Sequence, residues 1–109
     1  MSGEKEMELK FMEPAELGEK ELSAYTVVDM REEGVPPELQ LQGAVNIPFS
    51  RWFAEADAIP MDKPVLLVCQ IGKLSRLAGE IMAEKGYDVT TLNGGFAAYY
   101  AMKKRTGRQ

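Results

Sequence analysis

The chain holds one cysteine, Cys69, and no histidine. Any nucleophilic chemistry therefore rests on a lone sulfur with no imidazole beside it, which excludes Cys/His and Ser/His/Asp systems and leaves no histidine to ligate a metal. Cys69 follows the apolar run Val65-Leu66-Leu67-Val68 and precedes Gln70-Ile71-Gly72-Lys73-Leu74-Ser75-Arg76. A strand, a short glycine turn and an amphipathic helix in that order put the thiol at a helix start. Unpaired backbone N–H groups there, reinforced by the helix dipole, cradle an anion and favour a thiolate over a thiol. Gly72 allows the tight backbone such a cradle needs. Lys73 and Arg76 would add positive potential at the mouth of the loop, and Ser75 would offer a hydroxyl to an anion or cap the helix. The competing account makes Cys69 a small apolar residue of a buried strand, the common fate of a free cysteine. The glycine loop and helix directly after it favour the chemical account.

The elements that must position this loop alternate along the chain. Strand-like apolar runs occupy residues 26–30, 44–47, 65–69 and 89–92, with a weaker one near 7–12, and helical patterns occupy 14–22, 50–57, 74–85 and 95–104. On the clearest helix Leu74, Leu77, Ala78, Ile81 and Met82 share one apolar face, and Gly86 supplies a stop. Strands that are apolar throughout and alternate with helices imply the α/β class: a central, mostly parallel five-stranded sheet with helices on both faces. Ligands of such sheets bind beyond the carboxyl ends of the strands, where Cys69 stands.

The bounds agree with a small protein of the cell interior. A length of 109 residues suits a single domain, 1–109, with a core over about 7–102 and a short basic C-terminal tail of Lys103, Lys104, Arg105 and Arg108. Gly34-Val35-Pro36-Pro37 reads as a surface loop within it. The longest apolar run is far below the roughly 20 residues that span a bilayer, and the first ten residues lack a signal-peptide core, so a cytoplasmic location without membrane contact is expected. A single cysteine suits a reducing compartment. With a net charge of −4 and basic residues clustered only in the tail, nucleic acid is an unfavourable partner. Asp29 and Arg31 read as a pair fixing the fold near the site, Asn93-Gly94-Gly95 as a turn into a helix, and Trp52 and Phe53 beside Phe49 as packing over the sheet.

Four segments in register carry a family resemblance. Cys69-x-x-Gly72-x-x-Ser75 after an apolar strand resembles the active-site loop of rhodanese domains. Val27-Val28-Asp29-Met30-Arg31-Glu32 resembles the family's aspartate-x-arginine strand end, Gly43-Ala44-Val45-Asn46-Ile47-Pro48 its glycine-alanine-x-asparagine-isoleucine-proline segment, and Leu92-Asn93-Gly94-Gly95-Phe96 its glycine pair before the last helix. Together these cover residues 14–102. The resemblance implies a rhodanese-like fold and a sulfurtransferase without cofactor or metal. Cys69 takes sulfane sulfur from a small donor, such as thiosulfate or a persulfide, and passes it to a thiol or cyanide acceptor, a protein acceptor included. The backbone of Gln70, Ile71, Gly72, Lys73, Leu74 and Ser75 holds the persulfide and the donor's anionic oxygens.

The family commonly has arginine directly after the cysteine and again five residues after it, where this chain has Gln70 and Leu74; Lys73 and Arg76 are left to attract an anionic donor. Its usual histidine is replaced within Leu39-Gln40-Leu41-Gln42 and its last-helix tryptophan by Tyr99. A rhodanese-like carrier or protein-binding module without turnover is the alternative. A cysteine-dependent phosphatase or arsenate reductase fits less well, because the arginine its loop requires would fall at Ser75.

Overall fold

The structure, a computed structural model, describes residues 7–17, 22–36 and 39–106. In chain order the elements are β1 (Lys10–Met12), α1 (Pro14–Leu17), β2 (Thr26–Asp29), β3 (Val45–Asn46), α2 (Phe49–Glu55), β4 (Val65–Val68), α3 (Lys73–Glu84), β5 (Val89–Leu92) and α4 (Gly95–Thr106). Short 3-10 turns occur at Leu22–Ala24 and Ala56–Ala58. The strands form one sheet in the order β1-β5-β4-β2-β3, and every neighbouring pair is parallel.

β4 lies at the centre, and each of its four residues has no exposed surface. Alternation along it divides the core into two layers. Val65, Leu67 and Cys69 face a cluster built with Trp52 of α2 and Ala78 and Met82 of α3. Leu66 and Val68 face the opposite cluster, with Leu17 of α1 and Phe96 of α4. Burying an aliphatic side chain of this size contributes about 1.5–3 kcal/mol, so the central strand is held tightly from both sides. Its last turn of backbone leads straight to Cys69.

Three elements differ from the sequence expectation. The first helix is only Pro14–Leu17, and residues 18–21 of the expected span lie outside the described residues. The strand expected over 44–47 shortens to the exposed edge pair Val45–Asn46. Beyond it the chain stays tied to the end of β2: the Ile47 and Phe49 N–H groups donate to the Asp29 and Met30 carbonyls at 3.0 and 3.1 Å, the Asn46 side-chain amide bonds the carbonyls of Asp29 and Arg31, both at 2.8 Å, and Pro48 has no N–H to offer a regular ladder.

The buried face of α3 is also rotated from the expected one. Ser75, Ala78, Gly79, Met82 and Ala83 are buried, whereas Leu74 and Leu77 remain 42% and 47% exposed. Small side chains let the helix approach closely: a Cβ at Gly79 would lie 2.7 Å from the Leu9 side chain. The leucines are turned outward by that choice. Of the basic tail, Lys103, Lys104 and Arg105 form the last turn of α4, where cations complement the helix dipole, and Arg108 lies outside the described residues. Pro37 of the expected surface loop does too. Among the described residues no helix is long and apolar enough to cross a membrane.

Candidate active site

At the carboxyl end of β4 the chain turns sharply through Gln70 and Ile71 to Gly72, whose φ of +91° is a conformation open to glycine, and α3 begins at Lys73. This turn brings backbone donors round the sulfur. The Gly72 N–H donates to Cys69 Sγ at 3.1 Å and the Ser75 N–H at 3.3 Å, while Ser75 Oγ lies 3.4 Å from the same sulfur. Cys69 is only 3% exposed, so the two accounts raised by the sequence meet: the side chain is buried, and it is buried among converging amides.

The loop is oriented by α4. The Phe96 N–H donates to the Cys69 carbonyl at 2.8 Å and the Ala97 N–H to the Gln70 carbonyl at 2.9 Å, so the free amides of one helix start hold the loop's carbonyls. With these carbonyls drawn toward α4, the amides that follow are left to face the sulfur. The approach requires glycines. A Cβ at Gly95 would stand 2.6 Å from the Cys69 and Gln70 carbonyl oxygens, and one at Gly72 would stand 3.0 Å from the Gly94 nitrogen. The glycine pair read from sequence as a turn thus also seats the loop.

The other loop residues sit as follows. Gln70, Ile71, Lys73 and Leu74 are exposed, and among the described residues Lys73 has no ion-pair partner. Arg76 was expected at the loop mouth. Its side chain is 64% exposed, with the guanidinium 3.7 Å from Glu80 one helical turn along and 5.7 Å from the centre of the Phe11 ring. Ser75 is wholly buried and bonds Thr91 of β5 across 2.6 Å. Thr91 was not picked out from sequence; the signal available was a Thr-Thr pair inside the buried strand Val89–Leu92.

Asp29 and Arg31 form a buried ion pair beside the site and make no contact with the sulfur. Arg31 Nη2 donates to Asp29 Oδ2 at 2.8 Å and to the Leu39 carbonyl at 2.9 Å, and its Nε donates to Asp29 Oδ1 at 3.0 Å. The guanidinium lies over the Phe96 ring, 4.2 Å from its centre. The pair therefore joins the end of β2 to the start of α4, whose amides hold the loop. A groove of about 420 Å³ opens beside it between Gln70, Arg31, Phe96 and Tyr100, and no aspartate or glutamate lines it among the described residues. Among the described residues no cluster of three or more His, Cys, Asp or Glu side chains could hold a metal ion.

Comparison with known proteins agrees with this architecture. The model of the rhodanese-like domain matches residues 14–102. Over 84 residues the chain is 31% identical to the thiosulfate sulfurtransferase GlpE of Shewanella oneidensis, covering 73% of this chain and 80% of that protein. It is 30% identical over 80 residues to a tRNA sulfurtransferase of Desulfurococcus amylolyticus, of which it spans only 16%. Among solved structures, a rhodanese-related protein from Thermoplasma volcanium superposes with a TM-score of 0.74 at 28% identity, covering 85% of this chain and 92% of that one. Reduced CoADR-RHD of Bacillus anthracis superposes with a TM-score of 0.75 at 27% identity, covering 89% of this chain and 17% of that one. By the extent of the domain match, and by a five-stranded parallel sheet whose central strand delivers a cysteine to a glycine loop, the chain belongs to the rhodanese-like domain family.

Proposed function

We propose that this protein is a sulfurtransferase that carries sulfane sulfur as a persulfide on Cys69. The observation that supports this best is the pair of amide donors, from Gly72 and Ser75, converging on Cys69 Sγ at 3.1 and 3.3 Å. In the first step the Cys69 thiolate attacks the outer sulfur of thiosulfate; a new S–S bond forms, the old S–S bond breaks, and sulfite leaves with its electron pair. In the second a thiolate or cyanide attacks the outer sulfur of the Cys69 persulfide, and the thiolate is regenerated with release of a persulfide or thiocyanate. Dividing a transfer into two displacements at a polarisable sulfur is covalent catalysis, and the loop amides serve both anionic states of the cysteine. A thiol cycling in this way suits the reducing cytoplasm.

Relatives named thiosulfate and tRNA sulfurtransferases support the class of reaction. The charges on the loop argue for a donor other than thiosulfate: Gln70 and Leu74 are uncharged where the family commonly has arginine, and Lys73 is the one cation between them. A simple alkyl persulfide carries one negative charge where thiosulfate carries two, and depends less on such cations. The same features favour a second reading, a sulfur carrier that loads and unloads without efficient turnover of free thiosulfate. A phosphatase or arsenate reductase is disfavoured because the position its arginine would occupy is the fully buried Ser75.

Intact-mass measurement after incubation with thiosulfate, and separately with glutathione persulfide, tests the proposal. The expected result is a gain of one sulfur atom that is absent in Cys69→Ser and is discharged by an added thiol. No adduct with either donor overturns the sulfurtransferase and the carrier together; an adduct that no acceptor discharges repeatedly leaves the carrier.

A further inference from the structure

Two buried hydroxyls stand behind the cysteine, and their hydrogens can be counted. Ser75 and Thr91 are 0% and 1% exposed, and their oxygens are 2.6 Å apart. Ser75 Oγ is 3.4 Å from Cys69 Sγ, and among the described residues the Thr91 hydroxyl has no other partner. Each hydroxyl donates once.

When Cys69 keeps its own hydrogen, the S–H points at Ser75 Oγ. The Ser75 hydrogen then goes either to Thr91, which leaves the Thr91 hydrogen without an acceptor, or to the Gly72 carbonyl at 3.5 Å, the outer limit of a hydrogen bond. When the sulfur is ionised, Thr91 donates to Ser75, Ser75 donates to the sulfur, and every hydrogen has a place. A buried donor left without an acceptor is costly, so this two-hydroxyl chain is better satisfied around an anionic sulfur.

We infer that Thr91 is a positioning residue for Cys69, its hydroxyl fixing the Ser75 hydroxyl as a donor to the ionised sulfur. The inference deepens the sulfurtransferase reading and rests on Cys69 acting as an anion. Thr91 reaches the site from β5, its place set by pairing opposite Leu67 of β4, so the chain does not depend on the exposed part of the loop.

The test compares the native chain with Thr91→Val and Thr91→Ser, each also in a Ser75→Ala background. The readouts are the alkylation rate with iodoacetamide at neutral pH and the far-ultraviolet thiolate band. Thr91→Val is expected to slow alkylation about fivefold and weaken the band, an effect the size of one ordinary net hydrogen bond. Thr91→Ser is expected to restore both, and Thr91→Val is expected to have no further effect once Ser75 is alanine. Native behaviour in Thr91→Val, failure of Thr91→Ser to restore it, or additive effects in the Ser75→Ala background would each overturn the inference. If the valine variant does not fold, Thr91→Ala set against Thr91→Ser gives the same contrast. These readouts use only the thiol, so a chain that loads no sulfur would sink the sulfurtransferase reading while leaving the hydroxyl chain to be judged separately.

Discussion

Gly95 and Cys69 are in such close approach that a single added methyl group cannot be accommodated: a Cβ on Gly95 would lie 2.6 Å from the Cys69 carbonyl oxygen. The neighbour is backbone, which cannot swing aside as a flexible side chain would. Gly95 also has a φ of +70°, a conformation that costs other residues about 1–3 kcal/mol. Gly95→Ala is therefore expected to push the loop off the amides of Phe96 and Ala97, destabilise the fold by about 2–4 kcal/mol and slow Cys69 alkylation at least about tenfold. Denaturant unfolding and the alkylation rate measure the two effects. A folded Gly95→Ala variant with a native alkylation rate would show that α4 does not set the loop.

The Asp29–Arg31 pair gives a second prediction, about stability rather than chemistry. Both side chains are nearly buried, at 6% and 7% exposure, so solvent screens their attraction little. Removing one partner leaves the other charged and unpaired. Asp29→Ala is expected to cost about 3–5 kcal/mol, and replacing both residues together with apolar ones of similar volume is expected to recover most of that loss. Urea unfolding of the single and double variants decides the point. A double variant as unstable as the single one would mean that the pair contributes more than mutual compensation of charge.

Trp52 carries the one buried side-chain nitrogen or oxygen left without a hydrogen bond among the described residues, its indole Nε1. It is 2% exposed and packs in the layer between α2 and the sheet. Its contribution is therefore area, with an N–H that subtracts from it. Trp52→Ala is expected to cost about 3–5 kcal/mol. Trp52→Phe is expected to cost less than about 1.5 kcal/mol, because the lost contacts are offset by removal of an unpaired donor. Thermal unfolding distinguishes the two; a phenylalanine variant as unstable as the alanine one would point to a partner for that nitrogen.

The strand, turn and helix around Cys69 were legible because they are local. An apolar run ending in Cys69, a glycine three residues on and a periodic helix lie within one stretch of chain, and their order alone places the thiol at a helix start. What was not legible depends on approach in space. Thr91 meets Ser75 across 16 positions of sequence, and Gly95 meets Cys69 because two helix starts converge at one sheet end. The face of α3 was misjudged for a related reason. Periodicity placed Ala78 and Met82 correctly on the buried face but added Leu74 and Leu77 to it, whereas closeness to the neighbouring elements selected the small residues Ser75 and Gly79, and proximity is set by what lies opposite rather than by hydrophobicity.

Gln70, directly after Cys69, lines a groove with Arg31, Phe96, Tyr100 and Lys104, and it is uncharged where the family commonly has arginine. Thiosulfate is a dianion approaching a protein of net charge −4, so the potential at that groove governs how often it arrives and how long it stays. Placing a guanidinium there adds attraction that at low ionic strength corresponds to about tenfold faster persulfide formation from thiosulfate in Gln70→Arg. Because the Debye length falls from about 10 Å at 0.1 M salt to about 3 Å at 1 M, that gain is expected to shrink steeply as salt is added. Loading from a donor of lower charge, such as an alkyl persulfide with a single negative charge, is expected to gain only about threefold, because the attraction scales with the donor's charge. Stopped-time intact-mass measurements with both donors across a salt series check all three expectations. Equal acceleration with both donors, or a gain that salt does not reduce, would mean that the arginine reshapes the loop rather than attracting the anion.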